Sequence, residues 1–151
     1  NHPVVWVSWF GAHAFAEHYG LRLPDEYEWE KVARGMTGAD YPWGQNYGDN
    51  ISDNANYWGS CEDGTTPVGF YNGQSYDGFQ TTDSPSPYGV YDMAGNVWEW
   101  THSWWSESSS FRVFRGGSWY DDTYYLQSWY RGYYYSSSTV SSFGFRCSRT
   151  Q

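Results

Sequence analysis

Tyr88-Gly89-Val90-Tyr91-Asp92-Met93-Ala94-Gly95-Asn96-Val97-Trp98-Glu99-Trp100 is the stretch on which the fold of this chain turns. It places two carboxylates, Asp92 and Glu99, on either side of a glycine bend at Gly95. With the backbone carbonyls of Gly95 and Val97 available, that is a donor set a hard cation such as Ca²⁺ takes. A strand–turn–strand in which Asp92 and Glu99 accept from backbone N–H groups fits the same spacing equally well. Spacing alone does not choose between them.

Outward from this stretch, the composition is dominated by aromatics. The chain of 151 residues holds 11 Trp, 16 Tyr and 8 Phe against 13 Leu, Ile and Val. So few aliphatic residues with a net charge of −9 would ordinarily point to disorder. Trp and Tyr reverse that expectation, because each buries ~150–250 Å² and together they suffice for one compact domain. No apolar run reaches the ~20 residues that span a bilayer, and Asn1 onward does not read as a signal peptide. One lysine and seven scattered arginines form no basic stripe, which argues against nucleic acid and anionic membrane surfaces as partners.

Two helices are expected near the N-terminus. Ser8 caps one that runs to about Tyr19 before Gly20, with Trp9, Ala12, Ala16 and Tyr19 or Phe15 on one face. In Asp25-Glu26-Tyr27-Glu28 the spacing of Asp25 and Glu28 is a capping box, so the second helix covers about 25–34 and stops at Gly35. From Thr37 to Pro87 the chain is rich in Gly, Asn, Asp, Ser and Pro and reads as packed, irregular loop. Strand-like runs follow at Tyr88–Met93, Val97–Thr101, Phe111–Arg115 and Ser142–Cys147. Helices early and strands late imply an α+β domain.

The segment Tyr120–Ser142 stands apart, since 17 of its 23 residues are Tyr, Ser, Thr or Asp. Tyr133-Tyr134-Tyr135 does not read as a core strand, because burial with a period of two would waste one side. Tyrosine with serine is the composition of antibody-like contact surfaces, in which Tyr supplies amphipathic area and Ser adaptable hydrogen bonds. A tyrosine-lined packed loop is the other reading, and composition leaves both open.

Few motifs of catalysis are present. His13, Glu17 and His18 miss the zincin spacings and read as helix-surface residues; no GxSxG, P-loop or dinucleotide fingerprint occurs. Cys61 and Cys147 are too far apart for a redox pair, and two separate thiols are expected rather than a disulfide.

The stretch Pro3–Trp9, then Arg22–Glu30, Tyr41-Pro42-Trp43-Gly44, Ala55-Asn56-Tyr57, Thr66-Pro67-Val68-Gly69, Tyr88–Trp100, Arg115-Gly116-Gly117-Ser118-Trp119 and Gly144-Phe145-Arg146 resemble, in order and spacing, the formylglycine-generating-enzyme (sulfatase-modifying factor) superfamily. The resemblance implies a C-type-lectin-like fold of the formylglycine-generating type: two N-terminal helices, small antiparallel sheets and long ordered loops. It also implies that an opening strand lies upstream of Asn1, making this the C-terminal part of a longer protein. It assigns a structural calcium ion to Asp92, Gly95, Val97 and Glu99, and a second, poorer match to Asn56, Tyr57 and Asp63.

In those enzymes two copper-binding cysteines follow the Gly-Gly-Ser motif, and the corresponding positions here are Asp121 and Leu126. Without thiolates neither a soft Cu(I) site nor a nucleophile exists there. The histidine set of the related non-haem iron branch is missing as well. The chain resembles more closely the variable proteins of diversity-generating retroelements, which use this fold as a binding scaffold. Their C-terminal segment is rewritten by adenine-specific mutagenesis, often at AAC codons, which yields Tyr, Ser, Thr, Asp, Asn and Gly and never a stop. Trp129 is not reachable from AAC and is expected to be fixed.

The resemblance therefore implies a non-enzymatic, surface-displayed variable protein. Its contact set would be Tyr120, Asp121, Asp122, Tyr124, Tyr125, Tyr130, Tyr133, Tyr134, Tyr135, Ser136 and Ser138, facing a protein or other surface ligand of a target cell or host. Tyrosines would anchor the ligand and Asp121 and Asp122 would select a basic patch. No catalytic cofactor is expected, and Arg115 and Arg131 are assigned to structure. An oxidoreductase of the formylglycine-generating type and a non-varying sugar-binding module are the alternatives.

Overall fold

The computed structural model describes residues 1–45, 51–60, 64–107 and 109–149. Helix α1 spans Trp9–His18, and the Ser8 hydroxyl at its N-cap accepts from the Gly11 N–H. Trp9, Ala12 and Ala16 are buried along one face, while Phe15 and the C-cap Tyr19 stay exposed, packed against each other, with Phe15 edge-on to Phe145. Helix α2 spans Glu26–Arg34. Its capping box is formed: the Asp25 carboxylate accepts from the Tyr27 and Glu28 N–H groups, and Glu28 returns a carboxylate to the Asp25 N–H. A start of this kind stabilises a helix by about 1 kcal/mol.

Six short strands follow. A two-residue-per-strand hairpin, β1 (Ser75–Tyr76) and β2 (Phe79–Gln80), turns on Asp77-Gly78, both at positive φ. An Asp-Gly pair between two aromatic residues is a hairpin signal inside what the sequence presents as loop. The main sheet has the order β5-β4-β3-β6, built from β3 (Trp98–Trp104), β4 (Phe111–Arg115), β5 (Arg131–Tyr135) and β6 (Phe143–Phe145). Neighbours are antiparallel except β3 and β6, which run parallel. Single 3₁₀ turns lie at Ile51–Asp53 and Thr123–Leu126.

One expectation about strands needs correcting, and another is refined. Tyr88–Met93 is a chain of turns, because Gly89 and Asp92 both adopt positive φ, which breaks the pleat. Tyr133-Tyr134-Tyr135 does form a strand, the edge of the sheet, with Tyr133, Tyr134 and Tyr135 all exposed over roughly half their surface. Edge placement leaves both faces half solvated, so neither face wastes a side chain. Gly132 stands opposite Phe114, where no side chain fits: a Cβ on Gly132 would come within 2.2 Å of a Phe114 ring carbon.

Aromatic residues fill the core, as the composition demands. Trp9, Trp98, Trp100, Phe114 and Phe143 pack with Leu23, Ala12 and Ala16 where α1 meets the sheet. Smaller clusters form around Trp29, Ala33 and Met93, and around Tyr41, Ala55, Ala94 and Leu126. The indole N–H groups are used: Trp9 donates to the Thr101 carbonyl at 2.7 Å and Trp100 to the Val7 carbonyl at 3.0 Å.

Three arginines tie these pieces together. Arg112 lies between the Trp9 and Trp104 rings, 3.5 and 3.3 Å from their centroids, and burial lowers its pKa to about 10, so it remains charged at neutral pH. Arg131 pairs bidentately with Glu26 at 2.7 and 2.8 Å and stands 4.2 Å over Trp105. Arg115 is wholly buried; it donates to Glu30 at 2.5 Å and to the carbonyls of Ser128, Trp129 and Tyr130 at 3.1, 3.0 and 2.8 Å. Structural roles for Arg115 and Arg131 are thus what the chain uses.

Removing one partner of a buried ion pair strands the other charge, so Glu30→Gln is expected to cost about 3–5 kcal/mol in urea unfolding. Glu17→Gln, which breaks only the exposed pair with His13, is expected to cost less than about 0.5 kcal/mol.

Candidate ligand-binding groove

After β4 the chain turns at Gly116-Gly117, both at positive φ, and passes through Ser118 and Trp119 into the tyrosine-rich segment. Asp122 caps the 3₁₀ turn Thr123–Leu126 by accepting from the Tyr124 N–H at 2.9 Å. Leu126 on that turn is fully buried against Tyr41, Ala55 and Ala94. The chain then crosses the Arg115 guanidinium and enters β5.

This path folds round a groove of about 440 Å³. Tyr120, Asp121, Tyr125, Tyr130, Tyr133 and Tyr134 line it, together with Trp98, Phe114 and Phe143 from β3, β4 and β6, with Val140, Ser142 and Gly132, and with Arg131, whose charge is already answered by Glu26. The rings brace one another: Tyr125 meets Tyr130 edge to face at 4.9 Å, and Trp98 meets Tyr130 at a tilt at 5.8 Å. Such pairs contribute about 0.5–1.5 kcal/mol each beyond their area. Tyr120 is 70 % exposed and Tyr134 46 %, whereas Tyr125 and Tyr130 are half-buried against the main core. The wall therefore has a fixed layer and an open layer.

Asp121 is the one carboxylate in this lining. Its backbone carbonyl accepts from the Trp58 N–H, and its side chain accepts from the Ser118 hydroxyl and the Trp98 indole. Burial outweighs those hydrogen bonds and pushes its pKa above the ordinary carboxylate value. A cationic group entering the groove would meet this charge among aromatic faces, an arrangement suited to ammonium or guanidinium.

The remaining expected contact residues lie outside this lining. Tyr124 packs its ring 5.5 Å from Tyr130, and Tyr135 covers Phe111 at 4.6 Å. Asp122 is a cap, the Ser136 carbonyl accepts from the Trp9 N–H at the start of α1, and Ser138 N–H closes a turn on Tyr135. Trp129 donates its indole N–H to Asp40 at 3.1 Å, a scaffold contact that suits a fixed position. The groove residues missing from the sequence-based set are Trp98, Phe114, Arg131, Gly132, Val140, Ser142 and Phe143; most are scaffold residues of the strands and carry no local sign of facing a ligand.

The expected calcium residues border a separate cavity of about 340 Å³, lined among others by Asp92, Gly95, Val97 and Glu99. Glu99 is held bidentately by Arg146 at 2.5 and 2.6 Å and accepts from the Trp29 indole at 2.6 Å. Asp92 accepts from the Gly69 N–H at 2.7 Å, and burial pushes its pKa up. A buried carboxylate with so little compensation, beside an open cavity, fits a hard cation; Glu99 would reach one only by sharing its charge with Arg146. Among the described residues no group of three or more His, Cys, Asp or Glu side chains is placed to hold a metal. Of the second set, Asn56 is buried with its amide bonded to Gly64 and Ser60, half-buried Tyr57 has its N–H on the Ser60 hydroxyl, and Asp63 lies outside the described residues. Cys147 carries a free, half-buried thiol, and Cys61 also lies outside the described residues. Among the described residues no helix is long and apolar enough to cross a membrane.

Two helices set against a small mixed sheet, joined by long ordered loops, define a C-type-lectin-like domain. The family model described as Sulfatase-modifying factor enzyme 1-like domain matches residues 1–151, and the chain belongs to that family. It is 45 % identical over 109 residues to a formylglycine-generating enzyme of Thermomonospora curvata, covering 70 % of this chain and 35 % of the relative. It is 41 % identical over 124 residues to the inactive C-alpha-formylglycine-generating enzyme 2 of Bos taurus, covering 79 % of this chain and 39 % of the relative. The chain thus spans between a third and two fifths of the length of these relatives. Among solved structures, Treponema denticola variable protein 1 superposes with a TM-score of 0.83 at 23 % identity, over 97 % of this chain and 70 % of that one. That likeness is one of fold.

The two layers of the groove should separate in thermal melts. Tyr120→Ser or Tyr134→Ser is expected to change stability by less than about 1 kcal/mol, and Leu126→Ala to cost about 2–5 kcal/mol. Asp121 gives a pH test. Because its folded pKa is raised, the stability contributed by its protonated form is complete below the unfolded value near 3.8 and is lost as pH rises through the folded value. Asp121→Asn should therefore melt higher than the parent at pH 7, and the difference should vanish at about pH 3.

Proposed function

We propose that this chain is a non-enzymatic ligand-binding protein whose segment Tyr120–Ser142 presents exchangeable side chains to a protein or other surface ligand of a target cell or host. The observation that carries this is what stands at the two cysteine positions of the enzymes. Asp121 lines an aromatic groove and Leu126 is sealed in the core, so neither side chain supplies a thiolate. The half-open tyrosines on a rigid frame support the same reading, since pre-organised aromatic surface binds with little loss of conformational entropy. The structural neighbour is named a variable protein, and diversification by a retroelement is proposed here by the same likeness. Display on a virion or cell surface follows from a contact role.

The ligand group that suits this groove is a lysine or arginine side chain on the target, held between tyrosine faces with Asp121 as its counter-charge. The test has a genetic arm and a binding arm. A near-identical template repeat and a reverse transcriptase beside the gene, with natural clones differing only in Tyr120–Ser142, are expected; an isolated gene with an unvarying segment would reject diversification. A target found by display of the whole chain should lose at least tenfold in affinity with Asp121→Asn or Tyr120→Ser.

A second reading, a formylglycine-generating-type oxidoreductase, is favoured by the 45 % identity to an enzyme of that name. It predicts copper in the purified protein and oxygen consumption with a thiol substrate, and their absence would end it. We also propose a structural calcium ion at Asp92, Gly95, Val97 and Glu99. Calcium should raise the melting temperature, and EDTA or Asp92→Asn should remove that gain; a melting temperature indifferent to calcium and chelator rejects the site.

A further inference from the structure

A cavity of about 510 Å³ shares no lining residue with the tyrosine groove. Val32, Val90, Trp29 and Met93 make it apolar, as the open side of the cluster built on Trp29, Ala33 and Met93. Cys147 also borders it, half-buried.

The charges around this cavity are unusual for the chain. Five of the eight Lys and Arg side chains are paired: Arg22 with Glu28, Arg34 and Arg115 with Glu30, Arg131 with Glu26, and Arg146 with Glu99. Arg112 is enclosed by Trp9 and Trp104. Lys31 and Arg149 have no acidic partner among the described residues, and both line this cavity, beside Arg146 and the mutually paired Arg22 and Glu28. In a protein of net charge −9 most of the surface repels anions. The two uncommitted cations border an apolar hollow of the size that takes a small molecule.

We propose that this cavity is a binding site for a small amphipathic carboxylate, its aromatic or branched apolar body against Val32 and Val90 and its carboxylate drawn to Lys31 and Arg149. Apolar area removed from water supplies affinity, and the cations supply the choice of an acid over its neutral analogue. The site is independent of the groove that binds a target.

2-Naphthoate and 2-naphthalenemethanol are suitable probes, titrated calorimetrically into the whole chain. Saturable binding of the acid is expected, with the alcohol at least tenfold weaker. The double variant Lys31→Gln, Arg149→Gln should weaken the acid by about tenfold and leave the alcohol unchanged, while Asp121→Asn and Tyr134→Ser should alter neither. Cys147 reports the place without altering the cavity: in a Cys61→Ser background, its alkylation by iodoacetamide should slow as 2-naphthoate saturates. No saturable binding, equal binding of acid and alcohol, an unaffected double variant, or an unprotected Cys147 would each overturn the proposal.

Discussion

A single buried guanidinium holds the two halves of this domain in register. Arg115 has no exposed surface, and taking its charge out of water costs several kcal/mol unless the charge and its terminal N–H groups are met; the Nε–H alone finds no partner among the described residues. Glu30 of α2 answers the charge, and three consecutive carbonyls, Ser128, Trp129 and Tyr130, answer the N–H groups. The first half of the chain supplies the anion, and the second half supplies a loop wound round the cation. That loop delivers Tyr130 to the groove and Gly132 to the face of Phe114. If the guanidinium moved, β5 would lose its starting point.

Around this anchor the aromatics divide their labour by depth. Trp98, Phe114 and Phe143 belong to strands and to the core, yet their outer edges form part of the groove. Tyr125 and Tyr130 lean on that layer, while Tyr120 rests on Trp119, Tyr133 on Trp105 and Phe111, and Tyr134 on Phe143. A ligand would therefore meet side chains already restrained by their neighbours, with Asp121 bonded to Ser118 and Trp98 among them. Restraint of this kind is what lets a small contact area bind well.

What the chain announces in sequence and what it conceals follow from the range of the forces involved. Capping at Asp25 and Glu28 is local, three residues apart, and is legible. So are β3 and β4, whose apolar runs bury one or both faces. β5 is not, because an edge strand needs no clean alternation: Tyr133 and Tyr135 cover Trp105 and Phe111, while Tyr134 reaches Phe143. Tyr88–Met93 looks like a strand until Asp92, a residue with a Cβ, adopts φ of 57°. Asp121 is visible as a candidate through family resemblance and composition together. Its place beside the Trp98 indole depends on strands more than twenty residues away in sequence. Asp122, the cap of the 3₁₀ turn, has the same composition signal and a different job, because only backbone geometry separates the two neighbours.

The half-exposed tyrosines have a consequence for heredity. Where a side chain contributes little to the fold, a change at one position leaves the cost of a change at the next almost unaltered. Tolerance at Tyr120, Tyr133, Tyr134 and Tyr135 then multiplies across positions instead of being used up by the first substitution. A lineage could pass through many surfaces without meeting an unfolded intermediate, provided that Gly132, Leu126 and the Arg115 carbonyl loop are left alone. The boundary between what such a protein can change and what it must keep runs through single segments of chain, often between adjacent residues.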